Sequence, residues 1–268
     1  MTMAKSNRLR RWPIAAALML AAALILTTVA SVHAAEEPAA TPYRPSVSTP
    51  AALSEPGWLE MEVGLQRVQG GDSARRDSLP YTFKLAFSPD WGVRVGGDLQ
   101  VRTSDFDGSR LQGGGDTSLV LKRRFAVNDG AAFGLEAGAN FPTAKDGLGS
   151  GETDYSLNGI YSTDLGKYHA DINLLATRLG RIDANQGRWQ TTWAGALSRP
   201  LTERWGAVAE FSGTRQSGAP NTAQFLLAAS YNFSRRIVFD AGASRGLNRA
   251  SPDWALFTGV TVLLGRIF

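Results

Sequence analysis

Twelve segments of the chain alternate apolar and polar residues with a period of two, most of them over 10 to 12 residues. That period puts successive side chains on opposite faces of an extended strand. In residues 58–68, Leu59, Met61, Val63 and Leu65 alternate with Glu60, Glu62, Gly64 and Gln66. In 79–88, Tyr81, Phe83, Leu85 and Phe87 alternate with Thr82, Lys84, Ala86 and Ser88. In 92–102, Val93, Val95, Leu99 and Val101 alternate with Arg94, Gly96, Asp98, Gln100 and Arg102. The rhythm recurs at 116–126, 131–141, 153–163, 168–179, 188–198, 205–215, 223–233, 237–245 and 253–268. Strands of soluble sheets usually run ~5–6 residues, whereas a tilted strand crossing a bilayer needs roughly 9–11. The gaps between segments are 10, 3, 13, 4, 11, 4, 8, 6, 7, 3 and 7 residues, long and short in strict alternation. An up-and-down barrel shows this when tight turns face the periplasm and longer loops face outside. In lipid the sheet must also close, because an open edge leaves backbone groups unpaired. The expectation is an all-β, antiparallel up-and-down transmembrane β-barrel of 12 strands over residues 58–268, with both ends periplasmic.

The aromatic residues fall into two groups along these strands. Trp58, Trp91, Phe125, Phe133, Tyr161, Tyr168, Trp205, Tyr231 and Phe233 lie near the expected periplasmic rim. Tyr81, Phe141, Tyr155, Trp189, Phe225 and Trp254 lie near the outer one. Amphipathic rings collect at both water interfaces of a barrel. A soluble β-sandwich also alternates, but predicts neither the strand length nor the loop alternation.

Ahead of the strands, a basic stretch to Arg11 precedes 13 apolar residues, Ile14 to Leu26, and then Ser31-Val32-His33-Ala34-Ala35. This is the pattern of a signal peptide over 1–34, cleaved between Ala34 and Ala35. The apolar run is too short for a spanning helix, which takes about 20 residues. Residues 35–57 carry Pro38, Pro42, Pro45, Pro50 and Pro56 with no apolar period, the composition of a flexible periplasmic lead-in. The net charge of +4 resides in the leader, whose Lys5, Arg8, Arg10 and Arg11 have no acidic counterparts. Without them 24 basic residues face 24 acidic ones, so no standing excess points to nucleic acid as a partner. The absence of cysteine excludes a disulfide scaffold and a cysteine-based zinc site, and no cofactor is implied.

The chain ends on Phe268, with Val260, Val262 and Leu264 spaced to share a face. This resembles the terminal signature by which bacterial outer-membrane barrels are recognised for insertion, and so implies the barrel-insertion machinery as a partner. Arg266 stands where that signature usually carries an apolar residue; its side chain, like that of Arg123, is long enough to snorkel to the interface. Residues 141–175, FPTAKDGLGSGETDYSLNGIYSTDLGKYHADINLL, together with GDTSLVLKRRF at 115–125, resemble the MetA-pathway phenol degradation family of outer-membrane proteins. The resemblance implies a transporter-like barrel linked to aromatic-compound catabolism, and brings no functional residues with it.

Catalysis finds little support. After loss of the leader the chain keeps one histidine, His169, beside a periplasmic turn. An outer-membrane phospholipase or omptin protease needs its histidine toward the outer rim. The glycine runs Gly113–Gly115 and 147–151 lack the Lys-Ser/Thr of a phosphate-binding loop.

The polar face of the strands defines the bore. Lys84, Arg94, Arg102, Lys122 and Arg124, on the second to fourth strands, are expected to line it as a basic arc; apart from Glu60, Glu62 and Asp98, the inward acids Glu136, Asp154, Asp171, Glu210 and Asp240 fall on later strands and form an acidic wall. Either these charges set a transverse field in an open pore, or they interlock as ion pairs that fill a narrow interior. Two functions follow. One is a passive channel for a small-molecule solute, aromatic by the family resemblance. The other is a non-conducting barrel that displays its outer loops, with outer-membrane lipid and lipopolysaccharide as partners through Arg75 and Arg76.

Overall fold

The computed structural model describes residues 38–268; the leader and its Ala34–Ala35 cleavage site lie outside the described residues. The strands are β1 (Trp58–Gln69), β2 (Arg75–Ala86), β3 (Trp91–Ser104), β4 (Arg110–Gly113), β5 (Thr117–Asn128), β6 (Ala131–Phe141), β7 (Asp154–Leu165), β8 (Tyr168–Arg178), β9 (Trp189–Pro200), β10 (Trp205–Gln216), β11 (Thr222–Ser234), β12 (Ile237–Gly246) and β13 (Trp254–Arg266). The four-residue β4 only folds back on the end of β3. The twelve long strands pair with their neighbours, and β13 returns to β1 from Trp58↔Arg266 to Gln69↔Trp254, so the antiparallel barrel is closed. Between the twelve long strands, connections of two to four residues collect at one end, called here the turn end, and those of five to twelve, β4 included in the one from β3 to β5, at the loop end.

The sheet turns its apolar side outward, as a barrel in lipid requires. Leu65, Phe83, Leu119, Leu135, Leu157, Ile172, Leu174, Phe211, Leu227 and Leu256 are all exposed there. At the turn end, Phe133 and Tyr161 stack with centroids 4.9 Å apart, as do Trp205 and Tyr231. Arginines lie over rings of the same girdle: Arg123 on Trp91 and Phe125, Arg199 on Tyr168, Arg236 on Trp58. These cation–π contacts let a guanidinium sit at an apolar boundary.

Three expectations change. First, β2 begins at Arg75, so the β1–β2 connection is five residues, 70–74. Second, a bulge in β3 sets Leu99 and Gln100 against the single Leu79, between the pairs Pro80↔Asp98 and Ser78↔Val101. One extra residue flips every side chain beyond it. Val101 and Thr103 therefore turn inward and Arg102, expected in the bore, lies exposed on the outer face. Third, Leu264 is the extra residue of another bulge, between Glu60↔Leu263 and Leu59↔Gly265, so Leu263 points inward and the face shared by Val260 and Val262 does not continue to Phe268. The ladder stops at Arg266, and Ile267 N–H donates to Gly57 O at 2.6 Å.

The Pro-rich segment differs most. Residues 38–56 are no free lead-in; they fold up into the barrel and occupy its bore.

Candidate transport path

Proline leaves gaps in a backbone's donor series, and this segment forms no ladder of its own beyond the single bridge Pro56↔Ala86. Each buried N–H must then find a partner, and the lumen supplies side chains for the purpose. Near the turn end Ala40 N–H donates to Arg235 O at 2.8 Å. Thr41 N–H then donates to Glu60 Oε2 at 2.8 Å and Tyr43 N–H to Glu62 Oε1 at 2.7 Å. Further in, Arg44 holds Asp240 through Nε at 3.2 Å and donates to Thr258 O at 3.2 Å. Its guanidinium fills a slot left by Gly64 and Gly259, paired on β1 and β13; a Cβ on either would come within 2.5 Å of it.

The segment next crosses the bore. Glu210, fully buried, accepts from Val47 N–H at 3.1 Å, Ser48 N–H at 2.8 Å and Ser48 Oγ at 2.8 Å. Thr49 N–H donates to Asn173 Oδ1 at 3.1 Å and Ala51 N–H to Ser162 Oγ at 2.7 Å. The chain then returns to the turn end, where Gly57 N–H donates to Ala86 O at 2.7 Å. The result is a plug looped in from the turn end and fixed to β1, β7, β8, β10 and β12.

The plug also settles how the lumen charges are used. Lys84 pairs with Glu60 and, at 2.6 Å, with Glu62, and donates to Thr41 O at 2.6 Å. Glu136 lies 3.5 Å from both Arg94 and Lys122. Lys122 donates to Pro50 O and, at 3.2 Å, to Tyr43 Oη. The Tyr43 ring lies between the two ammoniums, 3.9 Å from Lys84 Nζ and 4.3 Å from Lys122 Nζ, and its hydroxyl donates to Ala52 O at 2.6 Å. Of the two readings of the charged bore, the interlocked one describes this geometry, with plug groups completing the network.

The other expected lumen residues are spread apart. Asp98 meets Arg76 at 3.0 Å toward the loop end, and Asp154 accepts from Gly180 N–H at 2.9 Å. Asp171 lies 3.3 Å from His169 Nε2 near the turn end, while His169 Nδ1 is 2.6 Å from Asp164. Arg124 lies on the inner wall, paired with Gly134 of β6.

The plug divides the bore. A cavity of about 740 Å³ opens at the turn end, lined by Pro42, His169, Asp171, Ser198 and Asn232. A second of about 340 Å³ lies on the loop side, where Phe257, Leu226, Val68, Pro80 and Ala255 point inward beside Gln66, Thr82 and Arg94. Tyr43, Arg44, Pro45 and Ser46 border both. Above them the loops enclose a polar vestibule of about 910 Å³, with Gln186, Gln190 and Gln216 on its wall. Apolar side chains inside a barrel are the feature that simple alternation hides, since it assigns that face to polar residues.

The wall itself is interrupted at one place. β3 pairs with β5 only up to Gly97↔Thr117; beyond it β3 pairs with β4, whose far edge carries no strand. The β6–β7 connection, 142–153, covers this seam. Asp116 holds it: its carboxylate accepts from Ala144 N–H at 3.1 Å, Ser150 N–H at 2.7 Å, Ser150 Oγ at 2.8 Å and Asn140 Nδ2 at 3.1 Å. Partial burial alone would raise its pKa, but these hydrogen bonds hold the carboxyl below the usual carboxylate range. With the folded pKa depressed, the clasp contributes fully above the ordinary carboxylate pKa and is lost only as pH falls through the lowered one. In Asp116→Asn an amide NH2 faces these donors, and local opening becomes easier by about 1–3 kcal/mol. Trypsin cleavage after the exposed Lys145 should accelerate about tenfold or more at neutral pH, with the barrel otherwise intact.

No family model matches the chain, and no curated protein matches it in sequence. Solved structures do match. An outer membrane channel from Pseudomonas putida F1 superposes with a TM-score of 0.63 at 14% identity, over 79% of this chain and 97% of that one. The NanC porin gives 0.55 at 8% identity, over 76% and 98%. The KdgM porin gives 0.53 at 10% identity, again over 76% and 98%. At such identities the likeness is one of fold, and the fold is that of outer-membrane channels and porins.

Proposed function

We propose that the chain is a channel of a Gram-negative outer membrane, reached after signal-peptide export, that admits small solutes passively, phenol-type aromatic compounds among them. The observation that carries this reading is the chamber of about 340 Å³ within a closed barrel, where an apolar wall of Phe257, Leu226, Val68 and Pro80 faces polar groups that include Glu62, Gln66, Thr82, Arg94 and Gln224. Small-molecule sites combine apolar walls with placed polar groups, and a chamber with one apolar side and one polar side suits a ring bearing a hydroxyl. The resemblance of residues 115–125 and 141–175 to the MetA-pathway phenol degradation family points the same way. Those two stretches meet at the Asp116 clasp; on this reading an apolar solute leaves sideways through the seam when the 142–153 connection opens.

The plug favours a second reading, a non-conducting barrel that displays its loops. Uptake by intact cells separates the two. In a deletion strain complemented with the wild-type chain, the initial rate of uptake of a phenol at low concentration should rise above that of the uncomplemented strain. Phe257→Asp, which puts a carboxylate into the chamber, should reduce the gain several-fold. Uptake that ignores the chain, together with a change in adhesion or envelope integrity, would establish the display reading instead.

A further inference from the structure

On the outside of the barrel the loop-end margin carries arginine where the wall below is apolar. Arg245 on β12 neighbours Trp254 on β13, and Arg67 on β1 pairs with Asp77 on β2, which in turn pairs with Arg102 on β3. Trp254 pairs in turn with Gln69, which pairs with Arg75, so Arg245 stands level with Arg75, two residues above Arg67 and Arg102. With neighbouring strands about 4.8 Å apart and about 3.4 Å per residue along a strand, Arg67 and Arg102 lie about 10 Å apart and Arg245 about 12 Å from Arg67, a staggered row. Arg75 stands one outward position beyond Asp77.

The charge of this row is not balanced within the protein. Asp77 is its one carboxylate, 2.6 Å from Arg67 and 3.3 Å from Arg75. Among the described residues neither Arg102 nor Arg245 makes an ion pair within 4 Å: Asp77 stands opposite Arg102 in the ladder but turns its carboxylate to Arg67 and Arg75, and both free arginines are exposed. A guanidinium on a lipid-facing wall costs roughly 2–4 kcal/mol at mid-membrane and ~0–1 kcal/mol at the interface, which places the row at headgroup depth. All four cations are arginine, whose planar fork matches phosphate oxygens two at a time, and none is lysine.

We infer that this row docks a phosphorylated lipid headgroup of the surrounding leaflet, the phosphate-bearing end of lipopolysaccharide, with Arg102 and Arg245 as its free phosphate ligands. The inference rests on the barrel lying in an outer membrane and is independent of what it transports.

Native mass spectrometry of the detergent-solubilised mature chain, titrated with phosphorylated lipid A, tests it. The wild-type chain should retain the lipid. Arg102→Glu with Arg245→Glu should weaken retention about tenfold or more, and the lipid stripped of its phosphates should be lost to the same degree. Heat-modifiable migration checks that the variant is folded, and the Arg102→Gln, Arg245→Gln pair takes its place if it is not. Equal retention by the folded double variant would overturn the inference. So would equal retention of the stripped lipid, which assigns binding to the acyl chains, or of phosphatidylglycerol, which reduces the row to general attraction for anionic lipid.

Discussion

Deletion of residues 38–56 should turn a nearly silent barrel into an open pore. Eight strands leave an interior that side chains just fill, and 16 to 18 leave an aqueous channel, so about twelve leave a bore that side chains alone do not close. Here the remainder is closed by a segment of the same chain, held by donors on Thr41, Tyr43, Val47, Ser48, Thr49 and Ala51. With the segment gone, Glu60, Glu62, Glu210 and Asp240 face water, where their charge is no liability. Planar-bilayer recording of the refolded mature chain should show few and small steps, and the deletion variant large, regular ones. Glu210→Ala removes the acceptor of three plug donors without shortening the chain, and should give flickering openings of intermediate frequency. A folded deletion variant that stays silent would show that lumen side chains, not the plug, close the bore.

The contrast between wall and plug explains what the amino-acid order reveals by itself. The wall obeys a local rule: each strand has a lipid face, the period of that face is two, and alternation such as Leu59, Met61, Val63 and Leu65 is visible in any short window. The rule loses phase only where one residue is inserted. Nothing in Leu99 or Gln100 marks the bulge; it exists in relation to Leu79 on another strand, and for that reason alternation alone points Arg102 into the bore. The plug obeys no local rule. Its partners are Glu60, Glu210, Asn173, Ser162 and Asp240, on five strands, and a Pro-rich stretch whose donors bond so far away reads as a tether. One signal lies in Glu210, an inward acid that meets no cation among the described residues. A buried carboxylate must be satisfied by something, and backbone N–H groups satisfy Glu210.

Replacement of Lys84 by Met should cost about 3–5 kcal/mol of folding stability, the range for breaking a buried ion pair from one side. Glu60 and Glu62 stand two apart on one face of β1, both buried, and Lys84 on β2 reaches between them. Removing its ammonium leaves two like charges side by side with less water than either needs, and their repulsion adds to the desolvation each already bears. The damage extends to the plug, because Lys84 also binds Thr41 O and lies against the Tyr43 ring. Urea unfolding in lipid vesicles, followed by tryptophan fluorescence, reads the loss. Charge, and not the missing contact area of the side chain, is the stated cause, so the triple variant Lys84→Met, Glu60→Gln, Glu62→Gln should recover most of it. Met keeps nearly the length of the lysine stem, and the two amides still accept from Thr41 and Tyr43 N–H. A single variant within about 0.5 kcal/mol of wild type, the scale of an ordinary surface substitution, would mean that water reaches these carboxylates and that the plug seals the barrel less tightly than its hydrogen bonds imply.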